Sequence, residues 1–279
     1  MEDPTGAADA DRYLLANRRV GAGERLAAIA DLFDPVTTRH LAGVGIGPGW
    51  SCWEVGAGGP GMAAWMAGQV GPTGRVVASD IDCTWLGDPG PAGVTVVRHD
   101  VTTGPVPGGP FDLIHARLLL VHLPDRSAVA ATLASALAPG GWLVLEDADP
   151  GLQPLACPDE HGAPEVLANR VRAAFRELLA ARGADLSFGR TLPRLLRGVG
   201  LADVEADAYF PVTSPVSTLL ERSTVEQLRD ELVAGGRISA AELDRHLAAL
   251  GAGELDLTTA PLVSARGRRP TAVPPRSTA

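Results

Sequence analysis

The chain has 279 residues, 46% of them hydrophobic, with a net charge of −9 and a pI near 5.1. That describes one domain with elaborations, able to bury a sizeable core. The acidic balance argues against a nucleic-acid groove, which needs basic surface, and no apolar run reaches the roughly 18 residues of a membrane span. The first residues, 1–11, are acidic and lack a signal peptide's positive start and apolar stretch. Cys52, Cys83 and Cys157 are odd in number and far apart, which suits reduced thiols in a cytoplasmic protein and no metal site.

Residues 9–42 read as helical: Tyr13, Leu14, Leu15, Leu26, Ile29, Ala30, Leu32 and Phe33 recur at helical spacing. Gly21 and Gly23 interrupt the pattern, and Asp34-Pro35 is expected to start a further helix through Leu41. A glycine and proline connector covers 43–50. Strands and helices then alternate: strand 51–55, helix 60–70, strand 75–79 ending at Asp80, strand 94–98 ending near Asp100 and strand 111–116. A helix over 127–137, closed by Pro139-Gly140-Gly141, leads to strand 142–145, which ends at Glu146-Asp147. This rhythm implies a parallel, doubly wound sheet, whose ligands bind outside the carboxyl ends of the strands. Beyond Asp147 come a long amphipathic helix over 164–182, a helix over 191–199, a strand over 204–212, helices over 214–234 and 239–250, and a last strand over 262–265. The tail 266–279, basic and then proline-rich, reads as disordered.

The stretch Ser51-Cys52-Trp53-Glu54-Val55-Gly56-Ala57-Gly58-Gly59-Pro60-Gly61 says most about function. An apolar strand enters a glycine turn that opens a helix. Glycine permits positive φ and close approach of backbone to ligand, and the helix N-terminus offers free N–H groups and a positive dipole end. Gly56-x-Gly58-x-x-Gly61 alone also satisfies the dinucleotide pattern. Glu54 separates the two, because a carboxylate suits a sulfonium and an ammonium and repels a pyrophosphate.

Glu54-x-Gly56-x-Gly58 resembles motif I of the class I S-adenosylmethionine (SAM)-dependent methyltransferases. Pro60 stands where that family often has a third glycine, and proline is tolerated in the first turn of a helix. The resemblance continues through Gly-Arg-Val-Val-Ala-Ser-Asp-Ile-Asp at 74–82, His99-Asp100-Val101, Phe-Asp-Leu-Ile-His-Ala-Arg at 111–117 and Leu-Ala-Pro-Gly-Gly-Trp-Leu at 137–143. It covers 51 to about 147, and more loosely 190–265. Tyr13, Asn17, Gly21, Gly23, Glu24 and Arg25 form a pattern similar to actinomycete natural-product methyltransferases.

The resemblance implies an α/β fold: a Rossmann-like, doubly wound, mostly parallel seven-stranded sheet with N-terminal helices and a helical lid. The implied divisions are a helical cap at 1–42, a SAM-binding core at 43–150, a lid plus completion of the sheet at 151–265, and the tail. The implied cofactor is SAM, leaving as S-adenosylhomocysteine. Glu54 would face its methionine moiety over Gly56, Ala57 and Gly58. Asp80 would take the ribose hydroxyls with Ile81 beside it, Asp100 and Val101 the adenine, and Ala116 would border the cleft. Asp80 lies 24 residues after Gly56, which the dinucleotide pattern also allows. Arg25 is a candidate for the cofactor carboxylate as a bidentate fork, with a surface ion pair as the plainer alternative. Trp85 would cover the adenine or fill core.

Methyl transfer is an in-line displacement that rests on positioning, with a base needed only where the acceptor must lose a proton. Tyr13, His122 and Glu146 are the catalytic candidates, and Asn17, Arg117 and Asp147 the acceptor-binding ones. Each has a structural alternative: packing for Tyr13, bracing the loop before Pro124 for His122, capping the next turn for Glu146 and Asp147. His115, inside a strand, reads as a hydrogen-bonded core group. The expected function is methyl transfer to a small natural-product acceptor at a carbon, nitrogen or oxygen centre, an indole carbon among them. No nucleic acid or membrane is expected as partner; a second copy, forming a homodimer, is. Two alternatives are a SAM-binding cyclase or partner subunit that transfers no methyl, and a nicotinamide-dependent oxidoreductase. The latter lacks its usual catalytic lysine, since all 24 basic residues are arginine.

Overall fold

The structure, a computed structural model, describes residues 21–271. In chain order these form α1 (Ala22–Gly43), β1 (Ser51–Val55), α2 (Gly61–Val70), β2 (Arg75–Asp80), β3 (Val94–Arg98), β4 (Phe111–Arg117), α3 (Arg126–Ala136) and β5 (Leu137–Ala148). There follow α4 (Ala163–Ala181), α5 (Leu192–Gly198), β6 (Ala202–Tyr209), α6 (Pro215–Gln227), α7 (Arg229–Ala234), α8 (Ala240–Ala252) and β7 (Leu262–Arg268). Single 3-10 turns at Leu120–His122 and Gly189–Thr191 link β4 to α3 and precede α5. None of the helices is long and apolar enough to cross a membrane.

The seven strands form one sheet in the order β3-β2-β1-β4-β5-β7-β6. The first five pair in parallel, and β7 runs antiparallel to both β5 and β6. The chain reverses its winding between β1 and β4, which puts the switch point at the carboxyl ends of those strands. The order departs from the 3-2-1-4-5-6 arrangement of dinucleotide-binding sheets.

The central strands are buried on both faces, so they read as apolar runs. On one face Trp53, Val55, Ile114, Ala116, Leu143 and Leu145 pack with α3 and α5. The Trp53 indole N–H donates to Ser79 Oγ at 2.8 Å, so its one polar atom is satisfied inside the core. On the other face Cys52, Ala78, Leu113 and Val144 pack against Met62, Met66 and Val70 of α2 and Leu41 of α1. The period of two along each strand carries that second face upward into Glu54, His115 and Glu146. It is apolar at the base of the sheet and ionised at the top.

Four boundaries differ from the sequence expectation. Pro35 does not begin a helix: α1 runs through it. The missing N–H costs one intrahelical bond, and burial of Leu32, Phe33, Val36 and Thr37 around it holds the helix together. The expected helix over 214–234 breaks at Leu228, whose φ of −109° and ψ of 15° separate α6 from α7. β7 extends past residue 265 to Arg268, paired on both sides, so the start of the expected tail belongs to the sheet; residues 272–279 lie outside the described ones. Pro139-Gly140-Gly141 is not a turn outside the sheet but a bulge within β5, where the register with β4 jumps.

That bulge explains the paired glycines. Gly140 has a φ of 82°, and a Cβ on Gly141 would lie 2.8 Å from the Phe111 carbonyl and 3.0 Å from that of Ala138. Both obstacles are backbone and cannot turn aside. Gly141→Ala is therefore expected to destabilise the fold by about 1–3 kcal/mol, the range for overpacking, measured by chemical denaturation. Full stability would show that β4 and β5 separate more easily than the register indicates.

Candidate active site

At the carboxyl end of β1 the chain enters the glycine turn with Gly56 at φ 65° and Gly58 at φ 61°. L side chains rarely adopt such angles. A Cβ on Gly56 would meet Leu119 Cδ1 at 2.9 Å, and one on Gly58 would meet Leu26 of α1 at 3.3 Å. The turn is held from below by Ala57 N–H donating to the Ser79 carbonyl at 3.0 Å. It is held from the side by Gly58 N–H donating to Asp80 Oδ2 at 2.9 Å. Asp80 Oδ1 accepts from Asp82 N–H at 2.9 Å. Each carboxylate oxygen keeps a second lone pair, enough for a vicinal diol. Burial pushes the Asp80 carboxyl up, partly offset by these backbone donors.

Just past Asp80, Ile81 is 51% exposed and Trp85 41% exposed, an apolar surface suited to a purine face. Asp100 ends the neighbouring strand. Burial raises its pKa, but donors outweigh that: Oδ1 accepts from Thr102 N–H and Oγ1, and Oδ2 from Thr103 Oγ1, so the net shift is downward. Val101 and Ala116 are buried in the apolar layer beside the turn. The structure thus brings Glu54, Gly56, Ala57 and Gly58 at the end of β1 beside Asp80 at the end of β2, with Ile81, Asp100 and Val101 along the flank. The chemistry fits SAM: a diol acceptor, an apolar shelf and a carboxylate for cationic groups, on backbone bare enough to approach.

Above this turn lies a layer of ionised side chains. Glu54 on β1 and His115 on β4 are register partners, and His115 Nδ1 lies 2.6 Å from Glu54 Oε2. His115 Nε2 faces Glu146 Oε2 at 3.4 Å. Glu146 Oε2 also accepts from Thr37 Oγ1, while Oε1 accepts from Ser264 Oγ at 2.7 Å and lies 3.1 Å from His40 Nδ1. His40 Nε2 continues to Asp207 on β6 at 3.1 Å. Arg117 donates to Thr37 Oγ1 at 2.8 Å and to Asp34 Oδ1 at 2.6 Å. Each imidazole meets a carboxylate at both ring nitrogens, so both nitrogens donate and both rings are cationic. Burial opposes a charge on His115, but Glu54 and Glu146 outweigh it and raise its pKa to about 9. The same donors outweigh burial at Glu146 and hold its carboxyl far below the usual range.

The acceptor-side candidates separate. Glu146 has no exposed surface and spends both oxygens on the layer, so it does not reach an acceptor directly. Arg117 is turned onto Asp34 and Thr37 of α1. Asp147 points to the opposite face, buried, its Oδ1 without a hydrogen-bond partner. Burial raises its pKa well above the carboxylate range, against the weaker pull of nearby N–H groups and Arg126. His122, after β4, is held neutral: burial and then the positive charges of Arg25 and Arg126 lower its pKa to about 4. Arg25 Nε donates to Gln227 Oε1 at 3.0 Å, joining α1 to the end of α6. Tyr13 and Asn17 lie outside the described residues.

Sequence reasoning missed Asp34, Thr37, His40, Ser264 and Asp207. The first three recur at intervals of three along α1, a polar stripe on one face of the helix. Ser264 and Asp207 gave no local sign; register alone aligns them with Glu146. Leu118, at a φ of 52°, was also invisible. It turns the chain so that Leu119 covers Gly56.

A doubly wound sheet with a glycine turn bonded to a strand-end carboxylate is the arrangement of a nucleoside-cofactor fold. A family model described as a methyltransferase domain matches residues 22–206. Nocamycin O-methyltransferase from Saccharothrix syringae is 31% identical over 88% of this chain and 96% of its own length. Methyltransferase str3 from Strobilurus tenacellus is 36% identical over 33% of this chain, a match spanning 31% of that protein. Among solved structures, the YcgJ protein of Bacillus subtilis superposes with a TM-score of 0.53 at 15% identity, covering 84% of this chain and 98% of its own. Phosphoethanolamine N-methyltransferase 2 of Haemonchus contortus, solved with SAM, gives 0.51 at 16% identity over 89% of this chain, which spans only 53% of that protein. The chain belongs to the methyltransferase family, in its class I, SAM-dependent form.

The ionised layer carries a pH signature. The carboxylates of Glu146 and then Asp207 raise the His40 pKa, against the opposing effect of burial. A raised folded pKa contributes stability that is full below the unfolded value, about 6.5, and that fades as pH climbs through the folded value. His40→Asn is expected to lower Tm at pH 6 by roughly 3–12 °C, from about 1.5–3 kcal/mol for a charged hydrogen bond at about 2–4 °C each. The gap from wild type should narrow in alkali. A gap independent of pH would mean that His40 is neutral where it sits.

Proposed function

We propose that this protein transfers a methyl group from SAM to a hydroxyl of a small natural-product acceptor. One observation carries the cofactor half: the glycine turn and the Asp80 carboxylate are bonded to each other at the switch point of the sheet. The acceptor half is supported by the nocamycin relative, whose match spans 88% of this chain and 96% of its own length.

SAM, when bound, supplies a methyl group on a sulfonium, already a strong electrophile. Asp80 would accept from the ribose hydroxyls, Ile81 and Trp85 would cover the base, and Asp100 would accept from its amino group through the lone pairs left by Thr102 and Thr103. Glu54 Oε1, which carries no hydrogen bond among the described residues, would meet the cationic amino-acid end. The first turns of α1 close over the site. A Cβ on Gly23 would come within 2.6 Å of the Trp85 ring, so only glycine lets the helix lie that close.

An acceptor hydroxyl needs somewhere to send its proton. His122 is the neutral imidazole at this end of the sheet, beside Arg25 and Arg126, which favour an oxyanion once formed. Its low pKa makes it a weak base that is always available at neutral pH. Glu146 acts at one remove, by holding His115 and α1 in place.

The first test is calorimetric titration with S-adenosylhomocysteine and, in parallel, NADH. Micromolar affinity for the former, about −8 kcal/mol, and none for the latter is the expected result; binding of NADH alone would overturn the proposal. Asp80→Ala is expected to weaken S-adenosylhomocysteine by about tenfold or more, since two ribose hydroxyls lose their acceptor. His122→Ala should lower kcat with little change in cofactor affinity, and an equal loss of both would make it structural.

A further inference from the structure

We propose that His115, held between Glu54 and Glu146, is a positioning residue that sets the Glu54 carboxylate for the cationic amino-acid end of the cofactor. This rests on the SAM reading above. Glu54 is almost wholly buried, and the Nδ1–Oε2 contact of 2.6 Å is its one hydrogen bond among the described residues. Burying a carboxylate without a partner is costly, and His115 supplies that partner. Fully buried on the strand next to β1, it binds Oε2 and leaves Oε1 without a hydrogen bond among the described residues.

His115 is itself held from behind. Glu146 faces Nε2, and Glu146 is pinned by Thr37, His40 and Ser264 from α1 and β7. Read across the sheet, the charges alternate: Asp207 negative, His40 positive, Glu146 negative, His115 positive, Glu54 negative. Every interior member has an opposite charge on each side. Glu54 is the end of the row, at the cleft, with one neighbour only. The position that would complete the alternation is a cation beyond Glu54, where the ammonium or sulfonium of the cofactor belongs. Apolar residues of similar volume often replace buried ion rows with no loss of stability, so a row ending at the ligand is better explained by the ligand than by the fold.

The experiment compares S-adenosylhomocysteine with methylthioadenosine, which keeps the nucleoside and thioether but lacks the amino-acid end. Calorimetry on His115→Gln should show the first weakened about tenfold or more, a loss of about 1.4 kcal/mol, and the second within about twofold of wild type. Glu54→Gln together with His115→Gln should bind no more weakly than Glu54→Gln alone, the non-additivity of groups acting as one unit. In wild-type protein, which needs no substitution to fold, the His115 ring signals in a 15N spectrum should move on binding S-adenosylhomocysteine and stay in place with methylthioadenosine. Equal loss of both ligands in His115→Gln, or ring signals that respond to both alike, would make the role structural and overturn the proposal. Unchanged affinity for S-adenosylhomocysteine would overturn it alone, whereas wild type binding neither ligand would overturn the cofactor reading with it.

Discussion

The upper half of this molecule depends on the saturation of one buried carboxylate. A carboxylate has about four lone-pair sites, and Glu146 fills them with four partners from three elements: Thr37 and His40 on α1, His115 on β4 and Ser264 on β7. Removing two charges from water costs several kcal/mol per ion, and that cost is offset only where every site is matched. The same bonds lay α1 along the sheet at a fixed height. Leu41 then meets the apolar base of that face, and Leu26 and Gly23 meet the glycine turn and Trp85.

The placement of α1 makes the cleft. A glycine turn alone is an open backbone loop, common to many nucleotide sites. With α1 beside it, the turn is flanked by Leu26 at Gly58 and by Gly23 against the Trp85 ring. In the cofactor reading proposed above, the low dielectric beside the turn strengthens the field of Glu54 on a bound cation. The bonds that hold α1 on the sheet also reach Glu54 at the strand end, through His115.

The helices after β5 obey a similar logic in a separate core. Leu228, Leu232, Ile238 and Leu243 pack with Val171 and Ala174 of α4. Within this group Arg172 donates to Glu221 Oε2 at 2.8 Å and to the Thr258 carbonyl at 3.2 Å. Burial raises the Glu221 carboxyl, but Arg172 and then His246 outweigh it and bring it to about 2. Asn169 exchanges two bonds with the Cys157 backbone, 2.8 and 2.9 Å long. Polar fastenings between apolar helices give such a layer a definite arrangement, and α6 passes it to the cofactor side through Gln227 and Arg25.

The sequence by itself determined the alternation of strands and helices, the glycine turn, and the acidic residues that close β1, β2 and the segment after β3. These are local properties: a period of two or 3.6, a positive φ that only glycine takes easily, a carboxylate at a strand end. It also marked Pro139-Gly140-Gly141, although its place inside β5 came from the register with β4. Only the tertiary structure decided what Glu146, Arg117 and His115 do. Glu146 at a strand end looks free to meet a substrate until β7, arriving from more than a hundred residues later, brings Ser264 beside it. Arg117 looks like an acceptor contact until α1 runs unbroken through Pro35 and presents Asp34. His115 looks like core until Glu54 and Glu146 are seen on either side. Charge pairing across strands depends on register and on which helix covers the face, and neither leaves a periodic trace in the chain.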